Sequence, residues 1–162
     1  MTVREQVAEI YEAERESIYN YMLHFGVPAQ RAQELVQDAF LKLYLKMSQG
    51  EQIDNPRAWL FRVAHNAALR AFTRERLFDE LDPDAAVAAT APDPERTLLD
   101  RERRSTLVQA IQNLSPQQRN CLHLRARGLR YREIAEVIGI NTSTVGEFLR
   151  RAVANLKEAL DA

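Results

Sequence analysis

The sequence predicts an all-α protein built as two small helical domains joined by a flexible linker. Three observations carry this. Glycine is scarce, with five in 162 residues, and no stretch shows the β-branched alternation of a half-buried strand. Apolar residues recur instead at helical spacing in both halves of the chain. Between the halves lies "DELDPDAAVAATAPDPE", acidic and alanine-rich, with three prolines and no periodic stripe. That composition belongs to a linker, or to a segment that orders only on binding.

The first helix is traced by Val3, Val7, Ile10, Ile18, Tyr21, Met22 and Phe25, and "FGVPAQ" breaks it. In "ELVQDAFLKLYLKM" the residues Leu35, Val36, Ala39, Phe40, Leu43, Tyr44 and Met47 follow the rhythm of a buried helical stripe. A polar loop, 48–55, leads to Pro56, a good first-turn residue. The next helix is "RAWLFRVAHNAALRAF", with Leu60, Val63, Ala64, Ala67 and Ala71 expected on its inner side. Residues 1–78 therefore form the first domain, 79–98 the linker and 99–162 the second domain. A flexible linker of about 20–25 residues has an r.m.s. reach of about 25–30 Å.

In the second domain Leu107, Ala110, Ile111 and Leu114 close one helix. "SPQQ" then offers Ser115 as cap, Pro116 at the first helical position and Gln118 as capping-box partner. The helix it opens points Cys121, Leu122 and Leu124 inward and ends near Gly128. Two short helices follow around Gly139-Ile140-Asn141.

Composition narrows the function. No apolar run approaches the roughly 18–20 residues that span a bilayer, so no membrane insertion is expected. The charged start "MTVREQVAEIYEAERE" is no signal segment, and the chain reads as cytoplasmic. A single cysteine, Cys121, excludes an internal disulfide. With three scattered histidines (24, 65 and 123) it forms no zinc cluster. No nucleophile–base pair or phosphate-cradling glycine loop appears, so no catalytic residue, metal or cofactor is expected and the chain is not an enzyme. Net charge is −1, but the signs are segregated. Residues 1–54 hold five basic and nine acidic side chains, 55–78 five and one, 79–104 four and eight, and 105–162 eight and five. Two separate basic segments are thus available to a polyanion.

The most specific local pattern is "YREIAEVIGINTSTVGEFLRRA". Ala135 is small where two helices must cross closely, and Ile134 and Ile138 are expected in the core. Gly139 sits where the turn requires a left-handed backbone. Asn141 or Thr142 can cap the next helix, with Val145 and Phe148 on its inner face and Thr142, Ser143, Thr144, Arg150 and Arg151 on its outer face. This spacing resembles the helix-turn-helix, whose second helix reads the major groove.

With both halves in view, the chain resembles bacterial RNA polymerase sigma factors of the sigma-70 family, in the extracytoplasmic function (ECF) group. "AQELVQDAFLKLYLKM" and "NPRAWLFRVAHNAAL" look like regions 2.2 to 2.4, and "LSPQQRNCLHLRARGLRYREIAEVIGINTSTVGEFLRRAVANLKEAL" looks like region 4. The resemblance implies three surfaces. Glu34, Gln37, Asp38, Leu41, Lys42 and Leu45 would dock on core RNA polymerase. Arg57, Trp59, Arg62, His65, Asn66, Arg70 and Arg74, with loop 48–55, would contact and open promoter DNA at the −10 element. Arg70 stands where relatives commonly carry an acid, and the place of Trp59 beside Leu60 and Val63 is more often that of a core residue than of a stacking platform. Asn141, Thr142, Ser143, Thr144, Glu147, Arg150 and Arg151 would hold the −35 element. Relatives often carry a lysine, a serine and an arginine after the valine, where this chain has Gly146, Glu147 and Phe148. The resemblance also implies that an anti-sigma factor could mask both domains. Two alternatives remain from the residues alone. A LuxR-like regulator shares the second-half pattern but carries an α/β first domain, and a sigma-like adaptor would bind protein without reading promoters.

Overall fold

The computed structural model describes the backbone of residues 1–76 and 97–161, with side chains for 1–72 and 97–161. Most of the expected linker, and the Arg74 side chain, lie outside the described residues. The helices are α1 (Val3–Phe25), α2 (Ala29–Ser48), α3 (Pro56–Arg76), α4 (Leu98–Gln112), α5 (Pro116–Ala126), α6 (Tyr131–Ile138) and α7 (Thr142–Asp161). No strand occurs among the described residues, so the first half is not the α/β domain of a LuxR-like regulator. No described helix is long and apolar enough to cross a membrane. The chain forms two compact units, with α1–α3 in the first and α4, α5, α7 and the start of α6 in the second.

In the first unit, Thr2 and Glu5 close a reciprocal capping box at the start of α1, each bond 3.1 Å. Gly26, at φ 108°, stops α1 in the left-handed conformation. A Cβ there would lie 3.4 Å from the Phe72 ring, so the turn also packs tightly on α3. Asn55 Oδ1 accepts from the Ala58 amide at 3.1 Å and opens α3. The core is built from Ile18, Tyr21 and Met22 of α1, Leu35, Val36, Ala39, Phe40 and Leu43 of α2, and Leu60, Phe61, Ala64 and Ala68 of α3.

Two expected stripes shift. Tyr44 is 39% exposed and Met47 only half-buried. At 100° per residue Tyr44 falls roughly 110° from the centre of the buried arc of α2, at its edge. On α3, Val63 and Ala67 are half-buried, whereas Ala58, Phe61 and Ala68 are fully inside. That helix carries small or apolar residues nearly all round, so periodicity alone does not set its rotation. Packing against Tyr21 and Phe25 does: the Tyr21 and Phe61 rings meet edge-on at 5.9 Å, and Phe25 and Phe72 at 6.0 Å.

In the second unit, Ser115 Oγ accepts from the Gln118 amide at 3.2 Å and Gln118 Oε1 from the Ser115 amide at 3.4 Å. Cys121, Leu124 and Leu129 are fully buried. Burial pushes the Cys121 thiol up to about 11, which leaves it an inert core side chain. Gly139 takes φ 83° and its amide donates to the Ala135 carbonyl at 2.8 Å, closing α6. Ile134 and Ala135 are buried as expected, but Val137 rather than Ile138 is the next buried position. On α7, Val145 is joined inside by Leu149, while Phe148 is half-buried, and the helix runs 20 residues rather than being short.

Candidate nucleic-acid and protein interfaces

The helical period that buries one face of α2 leaves the other to solvent. Glu34, Gln37, Asp38, Leu41, Lys42 and Leu45 are all exposed and share that outer face. Leu41 is 56% exposed and Leu45 48%, one turn apart, with Gln37, Asp38 and Lys42 around them. Glu34 is tied to Arg31 at 2.9 Å, both ends exposed. An apolar pair rimmed by polar groups on a rigid helix suits a protein partner.

On α3 the expected DNA set divides. Arg62, Asn66 and Arg70 are exposed at successive i, i+4 positions and form one stripe, with exposed Leu69 beside it. Trp59 is half-buried. His65 does not belong to this surface. Its ring is 4% exposed, and the Tyr21 hydroxyl lies 2.7 Å from Nδ1. Burial lowers its pKa from 6.5 to about 4, so the imidazole is neutral. A histidine held there cannot reach an unstacked base. Arg57 is also engaged: Nε lies 3.2 Å from the Glu14 carboxylate, in a pair less than one-third exposed. It fastens the start of α3 to α1, and meeting a phosphate would require breaking that pair. Glu14 was readable as a lone acid at helical spacing between Ile10 and Ile18, a position that calls for a partner. In loop 48–55 the residues are exposed except Ile53, and Asn55 is occupied in capping α3.

On α7, Asn141, Thr142, Ser143, Glu147, Arg150 and Arg151 are exposed, and Thr144 is half-buried at the edge of that face. The Val145 amide donates to the Asn141 carbonyl at 3.0 Å, which places Asn141 at the cap. Arg151 is not free for phosphate, because its Nη2 donates to Glu147 Oε1 at 2.7 Å. This i, i+4 pair neutralises Glu147 and leaves Arg150 as the uncompensated cation of the face. Gly146 has no steric necessity here: a Cβ would lie 3.7 Å from the Tyr131 ring, an ordinary contact. Gly146→Ala is therefore expected to stabilise the second unit by about 1 kcal/mol, measured by thermal unfolding. A loss of promoter binding alongside that gain would place DNA close against the α7 backbone. A loss of stability would mean the ring cannot accept the methyl.

Comparison with known proteins covers both units. Residues 10–78 match the family model for Sigma-70 region 2, and residues 104–156 that for Sigma-70, region 4. The chain is 29% identical over 162 residues to RNA polymerase sigma factor YlaC of Bacillus subtilis, spanning 98% of this chain and 94% of that one. It is 30% identical over 158 residues to the RNA polymerase sigma-H factor of Pseudomonas aeruginosa, spanning 89% and 78%. Among solved structures it is similar to the sigma factor RpoE in complex with the anti-sigma factor NepR from Bartonella quintana. That likeness has a TM-score of 0.70 at 22% identity and covers 98% of each chain, a similarity of fold.

Proposed function

The chain belongs to the sigma-70 family of RNA polymerase sigma factors, in its extracytoplasmic function group, and we propose that it divides the family's work among three separate surfaces. As a sigma factor it binds core RNA polymerase and directs promoter recognition and transcription initiation. In our reading, residues 1–78 dock on polymerase and open DNA, 79–98 link, and 99–162 hold the upstream element. The α2 face of Glu34, Gln37, Asp38, Leu41, Lys42 and Leu45 meets polymerase. The exposed stripe Arg62, Asn66 and Arg70, flanked by Trp59, meets the −10 region, with Arg62 and Arg70 neutralising phosphates. Asn141, Thr142, Ser143 and Glu147 face the bases of the −35 element, with Arg150 on phosphate and Thr144 at the margin. The observation that carries this reading is that the named residues of α2 and α3 fall on the face opposite each helix's buried stripe, while Asn141, Thr142, Ser143, Glu147 and Arg150 are exposed at and after the start of α7. The working place of such a protein is the cytoplasm, with core polymerase. An anti-sigma factor is the further partner we assign, by analogy with the complex of the similar RpoE.

Multi-round transcription in vitro with core polymerase and genomic DNA tests the reading. We expect start sites that depend on this chain. Glu147→Lys frees Arg151 and removes the one acceptor on α7 suited to a cytosine amino group. It should shift promoter preference and steepen the salt dependence of binding by roughly one to two phosphate equivalents. Unaltered preference and affinity would show that α7 does not read DNA, as in an adaptor that has lost promoter recognition.

A further inference from the structure

The first half of α1 is a helix whose apolar side is only partly covered. From Val3 to Ser17 no residue is fully buried, and Val7, Ile10 and Tyr11 stay half-buried, whereas Ile18, Tyr21 and Met22 further along are enclosed. Between this half-helix and α2 runs an open groove of about 470 Å³. At its base the Tyr11 and Phe40 rings meet edge-on at 4.9 Å. Val7 and Ala8 form the α1 wall, and Leu41, 56% exposed, with Tyr44, 39% exposed, forms the α2 wall. A continuous apolar lining of this kind gains by being covered.

The charges on the α1 wall say what fits. Arg4, Ala8 and Glu12 follow at i, i+4 and i+8, are all exposed, and all line the groove. Opposite charges therefore stand about 6 Å along the helix on either side of a small residue. Among the described residues neither the Arg4 nor the Glu12 side chain makes an ion pair. The neighbouring charges are occupied: the Arg15 guanidinium lies 5.1 Å from the centre of the Tyr11 ring, and Glu5 accepts from the Thr2 amide at 3.1 Å. The Arg4–Ala8–Glu12 pattern is complementary to itself. A second α1 laid antiparallel across Ala8 sets its Glu12 against Arg4 and its Arg4 against Glu12, with the two small Ala8 side chains at the axis. A partner segment of one sign would satisfy only one end.

We propose that the α1–α2 groove is a self-association surface, through which two copies of this chain form a two-fold dimer with each α1 seated in the other's groove. The contact is small and partly polar, so the dimer is weak and exchanges readily. Leu41 lies both on the groove and on the α2 face assigned above to core polymerase, so dimer and polymerase compete for it. That competition rests on the reading of the α2 face, whereas the dimer itself does not. The consequence is a store of chain that cannot dock, released by mass action as polymerase takes up monomer.

Sedimentation equilibrium of the full chain, from micromolar to near-millimolar concentration, should show a reversible monomer–dimer equilibrium that weakens with salt. A chain that stays monomeric throughout overturns the proposal. Arg4→Glu and Glu12→Arg should each weaken the dimer by at least about 10-fold, because each sets like charges together twice across the axis. An equimolar mixture of the two variants should recover the wild-type association as a heterodimer, since each supplies the sign the other needs. Both positions are exposed, and circular dichroism checks that the helices persist. A dimer that survives both reversals, or a mixture that associates no better than its components, overturns the surface. Core polymerase added to dimer labelled for energy transfer should abolish the transfer, and transfer that persists at saturating polymerase overturns the competition. Leu41→Glu separates the two readings. If it weakens the dimer but leaves polymerase affinity undiminished, the reading of the α2 face fails and the dimer stands. If it weakens polymerase binding while the charge variants leave association unchanged, only the dimer fails.

Discussion

Reversing the charge at Asp38 together with Leu41→Glu is expected to weaken binding to core polymerase by at least about 100-fold, on the order of 2–3 kcal/mol. Leu41 is 56% exposed, on the face of α2 opposite Leu35, Ala39 and Leu43, so a carboxylate there costs the isolated fold little. At a docked interface the same carboxylate would be taken out of water beside Leu45 without a partner, which is where the large penalty arises. Asp38 lies on the rim of the pair, and reversing its sign acts mainly on encounter and register. Fluorescence anisotropy of labelled chain against core polymerase reads the effect, and circular dichroism shows whether the helices persist. Leu43→Glu, a change at a fully buried position, marks what unfolding looks like by contrast. An intact fold with undiminished affinity would remove the α2 face from the polymerase interface.

The exposed face of α2 was legible in the sequence because one long helix carries both stripes. Apolar residues at 35, 36, 39, 40 and 43 set the phase of α2, and Leu41 and Leu45 then fall outside it by arithmetic alone. The same logic placed Ser143, Arg150 and Arg151 outward on α7, because Gly139 and Val145 fix where the turn ends and which side is inner. It failed on α3, where "AWLF" and the alanines beyond it give no single phase. The rotation of that helix is decided by α1, through Tyr21 and Phe25, and long-range partners of this kind leave no local mark. The ion pair of Arg57 left no mark in the sequence for the same reason, since its partner Glu14 lies on another helix. The Glu147–Arg151 pair is different. Its i, i+4 spacing is written in the sequence, and it changes the meaning of both residues from a repelling acid and a phosphate contact to a neutral couple.

The placement of His65 carries the other large prediction. The first unit is expected to lose on the order of 3 kcal/mol as pH falls from 6.5 to about 4. The cause is desolvation: the ring is 4% exposed and packed on Tyr21, stacked at 6.1 Å, and on Phe25, edge-on at 5.5 Å. The bond with the Tyr21 hydroxyl does not rescue the charged form, because that hydroxyl can donate to neutral Nδ1 or accept from a protonated one and so favours neither strongly. The folded pKa thus lies below the unfolded value, and the unfolded chain binds the extra proton first. Stability from this group is fully present above about pH 6.5 and is withdrawn as pH falls through the window toward 4. Urea unfolding followed by the single tryptophan, Trp59, reports on the first unit alone. His65→Phe should lower stability at neutral pH, since it removes the 2.7 Å bond between the Tyr21 hydroxyl and Nδ1, and yet flatten the dependence between pH 6.5 and 4.5. Adding Tyr21→Phe should recover part of the loss at neutral pH without restoring the slope. The carboxylates that titrate near the bottom of the window are common to all these proteins and cancel in the comparison. If wild type and His65→Phe showed the same slope, the imidazole would be titrating in water, and His65 would return to the surface that meets the −10 DNA.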